Sequence, residues 1–125
     1  MNKGELCAAV MALHENVMGA FYVRDGRLAQ WRMKEGLALP APEKVAALMF
    51  QRTLIHGLLK EREEYVGSLQ FNLSSYDQMD LLHFGMKDDE DKMAIMLVTI
   101  VRPYDLDDLV AKVVRLLGKN TAHRV

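Results

Sequence analysis

The sequence contains four histidines and one cysteine, the side chains that most often bind zinc or act as nucleophiles. The histidines stand at positions 14, 56, 83 and 123, so none of them has the close spacing of a metal-ligand pair. Cys7 has no second cysteine to join it as a ligand or in a disulfide. We therefore expect no metal site, and we expect Cys7 to be a small buried hydrophobic residue of the first helix.

Carboxylates stand at two places where chemistry is conceivable. Asp80 and His83 have the residue types of a general acid–base pair, but a spacing of three along a strand turns them to opposite faces. The acidic run at 88–91 lacks the spacing and glycine of an EF-hand loop, so we interpret it as a solvated turn. The sequence also lacks the P-loop, G-x-G-x-x-G, G-x-S-x-G and H-E-x-x-H motifs. It predicts no catalytic residue, no cofactor and no enzyme.

Composition predicts one cytoplasmic domain. The chain has 125 residues, with 16 basic and 17 acidic side chains scattered along it and a net charge of −1. A nucleic-acid surface would need a concentrated basic face, and a membrane span would need about 20 consecutive apolar residues. The sequence has neither, its N-terminus does not resemble a signal peptide, and its single cysteine suits a reducing compartment. We expect a domain over residues 1–119 and a flexible tail over 120–125.

The residues at 93–101 are expected to form the central strand. They are apolar except for Thr99, rich in β-branched side chains, and bounded by an acidic turn and Pro103. A strand that is apolar on both faces must be covered by helices on both sides. The run at 17–23 is similar and predicts a neighbouring strand. Asp25-Gly26 then predicts a hairpin to a return strand at 28–33, in which Ala29, Trp31 and Met33 share one face near the edge of the sheet.

Further elements follow from periodicity and capping signals. Helices are predicted at 4–14, 43–62 and 104–117, the last with Asp105 as its N-cap and Gly118 just beyond its end. The apolar stripe of the first helix is Leu6, Ala9, Val10 and Leu13. Strands are predicted at 68–74, with Leu69, Phe71 and Leu73 on one face, and at 79–86, with Leu82, Phe84 and Met86 on one face. The order is therefore α-β-β-α-β-β-β-α.

The long helix at 43–62 has two apolar stripes, about 100° apart around its axis. The first stripe consists of Ala46, Ala47, Phe50, Leu54 and Leu58, and the second of Leu48, Ile55 and Leu59. A helix that lies on its own sheet needs only one stripe. We expect the second stripe to meet another chain, and the pattern does not show which of the two faces the sheet.

The motif Val17-x-Gly19-Ala20-Phe21-x-Val23-x-Asp25-Gly26-x-Leu28 and the order of elements after it resemble the roadblock/dynein light chain family, whose fold is profilin-like or longin-like. The resemblance implies an α/β fold of the α+β type, with a five-stranded antiparallel sheet. Residues 93–101 would lie near the middle, the long helix on one face and the two terminal helices on the other. This sequence departs from the family in its short first helix and in the bulky Trp31-Arg32-Met33.

Proteins of that family commonly form homodimers through the long helix and the adjoining edge strand. They act as non-enzymatic scaffolds or regulators, often of Ras-like small GTPases, and have no invariant catalytic residue. The resemblance therefore implies a homodimer that binds another protein, a small GTPase among the candidates. The predicted dimer interface consists of Leu48, Gln51, Arg52, Ile55, Leu59, Leu69 and Phe71.

A ligand-sensing module of the PAS or GAF-like kind is the alternative. Such domains also cover a five-stranded antiparallel sheet with helices, and Tyr22, Trp31, Phe84 and several methionines could line a pocket. PAS domains place several short helices between their second and third strands, whereas this sequence predicts one long helix there. The alternative requires an enclosed pocket of a few hundred Å3.

Overall fold

A computed structural model describes residues 1–88, 90 and 92–118. Its elements are α1 (Lys3–Met11), β1 (Val17–Arg24), β2 (Arg27–Met33), α2 (Pro42–Lys60), α3 (Glu63–Val66), β3 (Asn72–Ser75), β4 (Asp80–Lys87), β5 (Met93–Ile100) and α4 (Leu106–Leu116). The predicted tail at 120–125 and part of the predicted turn at 88–91 lie outside the described residues. The predicted order of elements is confirmed, with the four-residue α3 as an addition.

The five strands form one antiparallel sheet in the order β2-β1-β5-β4-β3. The central position of β5 confirms the interpretation of its apolar run, because all of its residues from Ala94 to Val98 are buried. The β1–β2 turn has positive φ at both Asp25 (53°) and Gly26 (75°), as a two-residue hairpin turn of type I′ requires. The sequence resemblance therefore predicted the sheet correctly.

Helices cover both faces of the sheet, as expected. One core contains α1, α4 and inward side chains such as Leu82, Phe84 and Met96. The other contains Met49 of α2 together with Phe21, Val23, Ile95 and Leu97. The closing helix α4 begins after the N-cap Asp105, whose side chain accepts a hydrogen bond from the Asp108 N–H (3.0 Å), and Gly118 follows it with a φ of 71°.

Three local predictions need correction. A bulge opposite Tyr22 and Val23 shifts the register of β2, so Leu28 rather than Ala29 packs into the α2 core with Met33. Helix α1 ends at Met11 rather than His14, and the buried Cys7 occupies the core position that the periodicity gave to Ala9. Strand β3 begins at Asn72 rather than at residue 68. The Leu69 N–H donates to a carboxylate oxygen of Glu63 (2.7 Å), which ties this segment to α3.

Candidate functional site: the outward face of the long helix

Helix α2 begins at Pro42, which suits the first helical position because it has no N–H to leave unsatisfied. The carbonyl of Ala41 accepts hydrogen bonds from the N–H groups of Lys44 (2.9 Å) and Val45 (3.0 Å). Leucine, methionine and alanine then favour the helix over its 19 residues. An ion pair between Lys60 and Glu63 (3.4 Å) connects its last turn to α3.

The face of α2 that meets the sheet is neither of the two predicted stripes. It carries Val45, Met49 and His56, of which Met49 and His56 are buried and Val45 packs against the core. These positions fall on one side of a helix with 3.6 residues per turn. The expectation that one of the two apolar stripes lies on the sheet was therefore wrong. The face that meets the sheet includes a histidine, which a search for apolar periodicity does not count.

Both predicted stripes consequently contribute to the surface. In the first, Phe50, Leu54 and Leu58 are 59%, 53% and 64% exposed. In the second, Leu48 and Ile55 are 47% and 37% exposed. Five large apolar side chains on one helix form an exposed patch of the kind that marks protein–protein contacts.

The two stripes border different cavities, which lie toward opposite ends of the strands. Leu48 and Ile55 border a cavity of about 390 Å3 that also reaches Leu81 of β4 and Tyr76 of the β3–β4 turn. Ala46 borders a different cavity, beside Trp31 of β2 and Gly26 of the β1–β2 turn. The second stripe thus lies on the side of α2 that faces the strand ends near Met33, Leu81 and Tyr76. The first stripe leans toward the β1–β2 turn at its N-terminal end.

The structure brings together five of the seven predicted interface residues. Leu48, Gln51, Arg52 and Ile55 border the same cavity, and the half-buried Leu59 follows Ile55 by one helical turn. Leu69 borders a separate opening that it shares with Lys60 and Glu63. Phe71 lies on the other face of the sheet, where its ring stacks on that of Phe84 with centroids 6.1 Å apart.

Two buried histidines lie between α2 and the sheet. Nδ1 of His56 is 2.7 Å from Nε2 of His83 in β4, and the rings stack with centroids 4.8 Å apart. The exposed fractions are 2% for His56 and 0% for His83. Gly85 lies beneath the His56 ring, and a Cβ there would overlap it. Periodicity could have indicated this contact if His56 had been counted with Val45 and Met49.

Asp80 is the centre of a polar cluster on the opposite face, which confirms that it points away from His83. The hydroxyls of Ser75 (2.5 Å) and Tyr104 (2.6 Å) donate to its carboxylate, and Arg102 forms a salt bridge with it. The hydrogen bond from Ser75, followed by that from Tyr104, lowers the pKa of Asp80. Burial, together with the bond to Asp80, raises the pKa of Tyr104. The cluster connects β3, β4 and the segment before α4.

Cys7 is fully buried, as predicted, and burial raises the pKa of its thiol. Within the part of the chain that the structure describes, no group of three or more His, Cys, Asp or Glu side chains could hold a metal ion. Among the same residues, no helix is both long and apolar enough to cross a membrane. The cavity under α2 has the size that the sensing alternative requires, but it opens at the surface beside the exposed Leu48 and Tyr76, whereas that alternative requires an enclosed pocket.

The sequence matches no family model and no curated protein. Several solved structures are similar in fold, including the following three. A Roadblock/LC7 domain from Streptomyces avermitilis is 12% identical, with 92% of this chain and 91% of that one covered and a TM-score of 0.69. Myxococcus xanthus MglB is 9% identical, with coverage of 92% and 88% and a TM-score of 0.70.

The third is an MglB with a tetrameric arrangement, which is 10% identical, with coverage of 91% and 86% and a TM-score of 0.64. All three likenesses extend over nearly the whole chain, so they include the sheet and the helices on both of its faces. Together with the strand order and the placement of α2, they establish that this chain has the roadblock/LC7 fold.

Proposed function

We propose that this protein is a non-enzymatic cytoplasmic homodimer that acts as a scaffold or regulator of another protein. The observation that carries the proposal is the exposure of large apolar side chains along α2, where only Met49 and His56 are buried. Exposed apolar patches of this extent favour association. The tetrameric arrangement of an MglB of similar fold adds support.

The proposed dimer is antiparallel through the second stripe of α2. Leu48 and Ile55 lie seven residues apart on one face, so a two-fold axis near Gln51 would place each of them against the other's counterpart. The face also borders Tyr76, in the turn that follows the edge strand β3. An exposed edge strand offers unpaired backbone groups to a second copy. Leu59 and Leu69 remain predicted members of the interface, whereas Phe71 lies on the other face of the sheet, away from α2.

Cysteine cross-linking tests this arrangement. Gln51→Cys is expected to form a disulfide with its own counterpart under mild oxidation, because residues on a two-fold axis meet themselves. Lys44→Cys is the matched control: it lies on the same exposed face but about 10 Å along the helix, so its counterpart would be about 20 Å away. Cys7 is buried and leaves the readout clear. Equal cross-linking of both variants, or of neither, would contradict the antiparallel dimer.

The partner that the resemblance favours is a Ras-like small GTPase. The first stripe, with Phe50, Leu54 and Leu58, stays exposed in the proposed dimer and offers it a contact surface. Titration against the Ras-like GTPases of the source organism, each loaded with GDP or a GTP analogue, is expected to show binding to one nucleotide state. Leu54→Glu/Leu58→Glu should weaken that binding. If neither nucleotide state bound, a Ras-like GTPase would be rejected as the partner. The homodimer is tested separately.

A further inference from the structure

The cavity between α2 and the sheet has a mainly apolar lining. Its volume is about 390 Å3. The buried side chains of Phe21 in β1 and Leu97 in β5 line it from the sheet, and that of Met49 lines it from α2. Its volume lies within the roughly 300–1,000 Å3 of typical small-molecule sites. Such a lining is suited to a hydrocarbon chain.

Charge is distributed unequally around this cavity. Among the residues that the structure describes, Arg52 is the only charged side chain that borders it, and the other polar groups there belong to Gln51, Tyr76 and Thr99. No carboxylate of residues 1–88, 90 or 92–118 borders the cavity. Arg52 is half-buried and makes no hydrogen bond or ion pair with any residue that the structure describes. A guanidinium presents a planar fork of donors that fits a carboxylate, and the pairing is strongest where water is partly excluded.

We propose that this cavity binds a free aliphatic monocarboxylate of the medium-chain fatty acid class. The carboxylate pairs with Arg52, and the hydrocarbon chain lies against Phe21, Met49 and Leu97. Charge complementarity selects an anion, and the apolar lining selects a chain over a hydrophilic acid or inorganic phosphate, which would gain nothing from these surfaces. The proposal thus keeps the ligand-sensing function of the alternative but assigns it to a roadblock/LC7 fold and names the class of ligand.

The proposed dimer and the proposed ligand share residues. Leu48 and Ile55 border the cavity and also belong to the second stripe, so a bound acid would lie directly beneath the dimer contact. Binding of the acid nevertheless requires only one chain. The two proposals can therefore fail separately, and the solution mass should be recorded in the same samples as the binding data.

The test is a titration of the whole chain with butanoate, hexanoate, octanoate and octan-1-ol. Calorimetry gives the affinities, and amide NMR locates the binding site. Octanoate is used below its micelle concentration. We expect saturable binding whose affinity rises roughly tenfold for every two methylenes added, because each buried methylene contributes a similar transfer free energy. Octan-1-ol should bind at least about tenfold more weakly than octanoate, because it cannot form the charged pair. The amide signals of Leu97 and Thr99 should shift.

Arg52→Gln should lower octanoate affinity about tenfold or more while leaving octan-1-ol affinity unchanged. Arg62→Gln is the matched control, because Arg62 lies just beyond the same helix, is exposed and does not border the cavity. Equal binding of acid and alcohol, full retention of octanoate affinity in Arg52→Gln, or no saturable binding would overturn the inference. If the protein is a dimer and the amide signals of the residues around the cavity do not change with octanoate, the second copy fills the cavity. That result would also overturn the inference. A monomer that binds octanoate as expected would support the inference and remove the dimer.

Discussion

Nδ1 of His56 in α2 lies 2.7 Å from Nε2 of His83 in β4, with both rings buried and stacked between the helix and the sheet. One ring must donate this hydrogen bond and the other must accept it. The pair therefore fixes how α2 sits on the sheet, and with it which apolar side chains of α2 point outward. The exposed face on which the proposed dimer rests depends on this polar contact.

A double-mutant cycle should show the coupling between these histidines. His56→Leu and His83→Leu each leave a buried ring without its hydrogen-bond partner, so each should destabilise the fold by about 1–3 kcal/mol. The double variant replaces both polar groups and should be less destabilised than the sum of the single variants, by about 1 kcal/mol or more. Urea denaturation gives the free energy of unfolding of the wild type, the two single variants and the double variant. Strict additivity would show that the hydrogen bond contributes no coupling.

Two glycine substitutions should have opposite signs. Gly85→Ala should destabilise the fold by about 1–3 kcal/mol, because its Cβ would overlap the His56 ring in a packed interior. Gly57→Ala, on α2, meets nothing within 4 Å and should stabilise the fold by about 0.5–1 kcal/mol, because alanine loses less backbone entropy in a helix. Thermal unfolding of the two variants side by side is the measurement. A stable Gly85→Ala protein would mean that the His56 ring can move aside.

These contacts also show where the sequence was informative. The alternation of Leu82, Phe84 and Met86 and the long apolar run of β5 follow from side-chain burial within single strands, so the sheet could be predicted. The DG turn and the Asp105 cap are local and were predicted too. The face of α2 could not be assigned in this way, because His56 meets His83, 27 residues away, and a histidine does not count as apolar in a periodicity analysis.

The difference between local signals and contacts distant in sequence also explains which residues of the site could be predicted. Gln51, Arg52 and Ile55 follow from helical spacing, and the structure does bring them together. Leu69 was assigned to a strand because of alternation alone, whereas its N–H is bonded to Glu63 of a short helix that has no periodic signal. The cluster around Asp80 joins segments that are distant in sequence, so nothing local identified Ser75, Tyr104 or Arg102 as its partners.

Asp80 should make the stability depend on pH in the acid range. Its pKa is lower in the folded protein than in the unfolded chain, so its stabilising effect is complete above about pH 4 and is lost as the pH falls through the folded value. Asp80→Asn should cost about 1–3 kcal/mol at pH 7, and the difference from the wild type should shrink below about pH 4.

The matched control for Asp80 is Asp77→Asn. Asp77 is exposed, and only its backbone carbonyl takes part in the described hydrogen bonds, so the free energy of unfolding should change by less than about 0.5 kcal/mol. Chemical denaturation at pH 7, 5, 4 and 3 gives both comparisons. If the Asp80→Asn difference stayed constant over this range, the charge of Asp80 would not be its source.

The solution mass of the wild type and of Leu48→Glu/Ile55→Glu tests the central proposal most directly. Sedimentation at tens of micromolar should give a dimer for the wild type and a folded monomer for the variant, whose dimer affinity should fall by roughly 100-fold or more. Leu54→Glu/Leu58→Glu, on the first stripe, should stay dimeric. Circular dichroism measures whether the variants are folded. We expect that they are, because the substituted side chains are exposed in the wild type. A wild type that is monomeric at this concentration would contradict the homodimer.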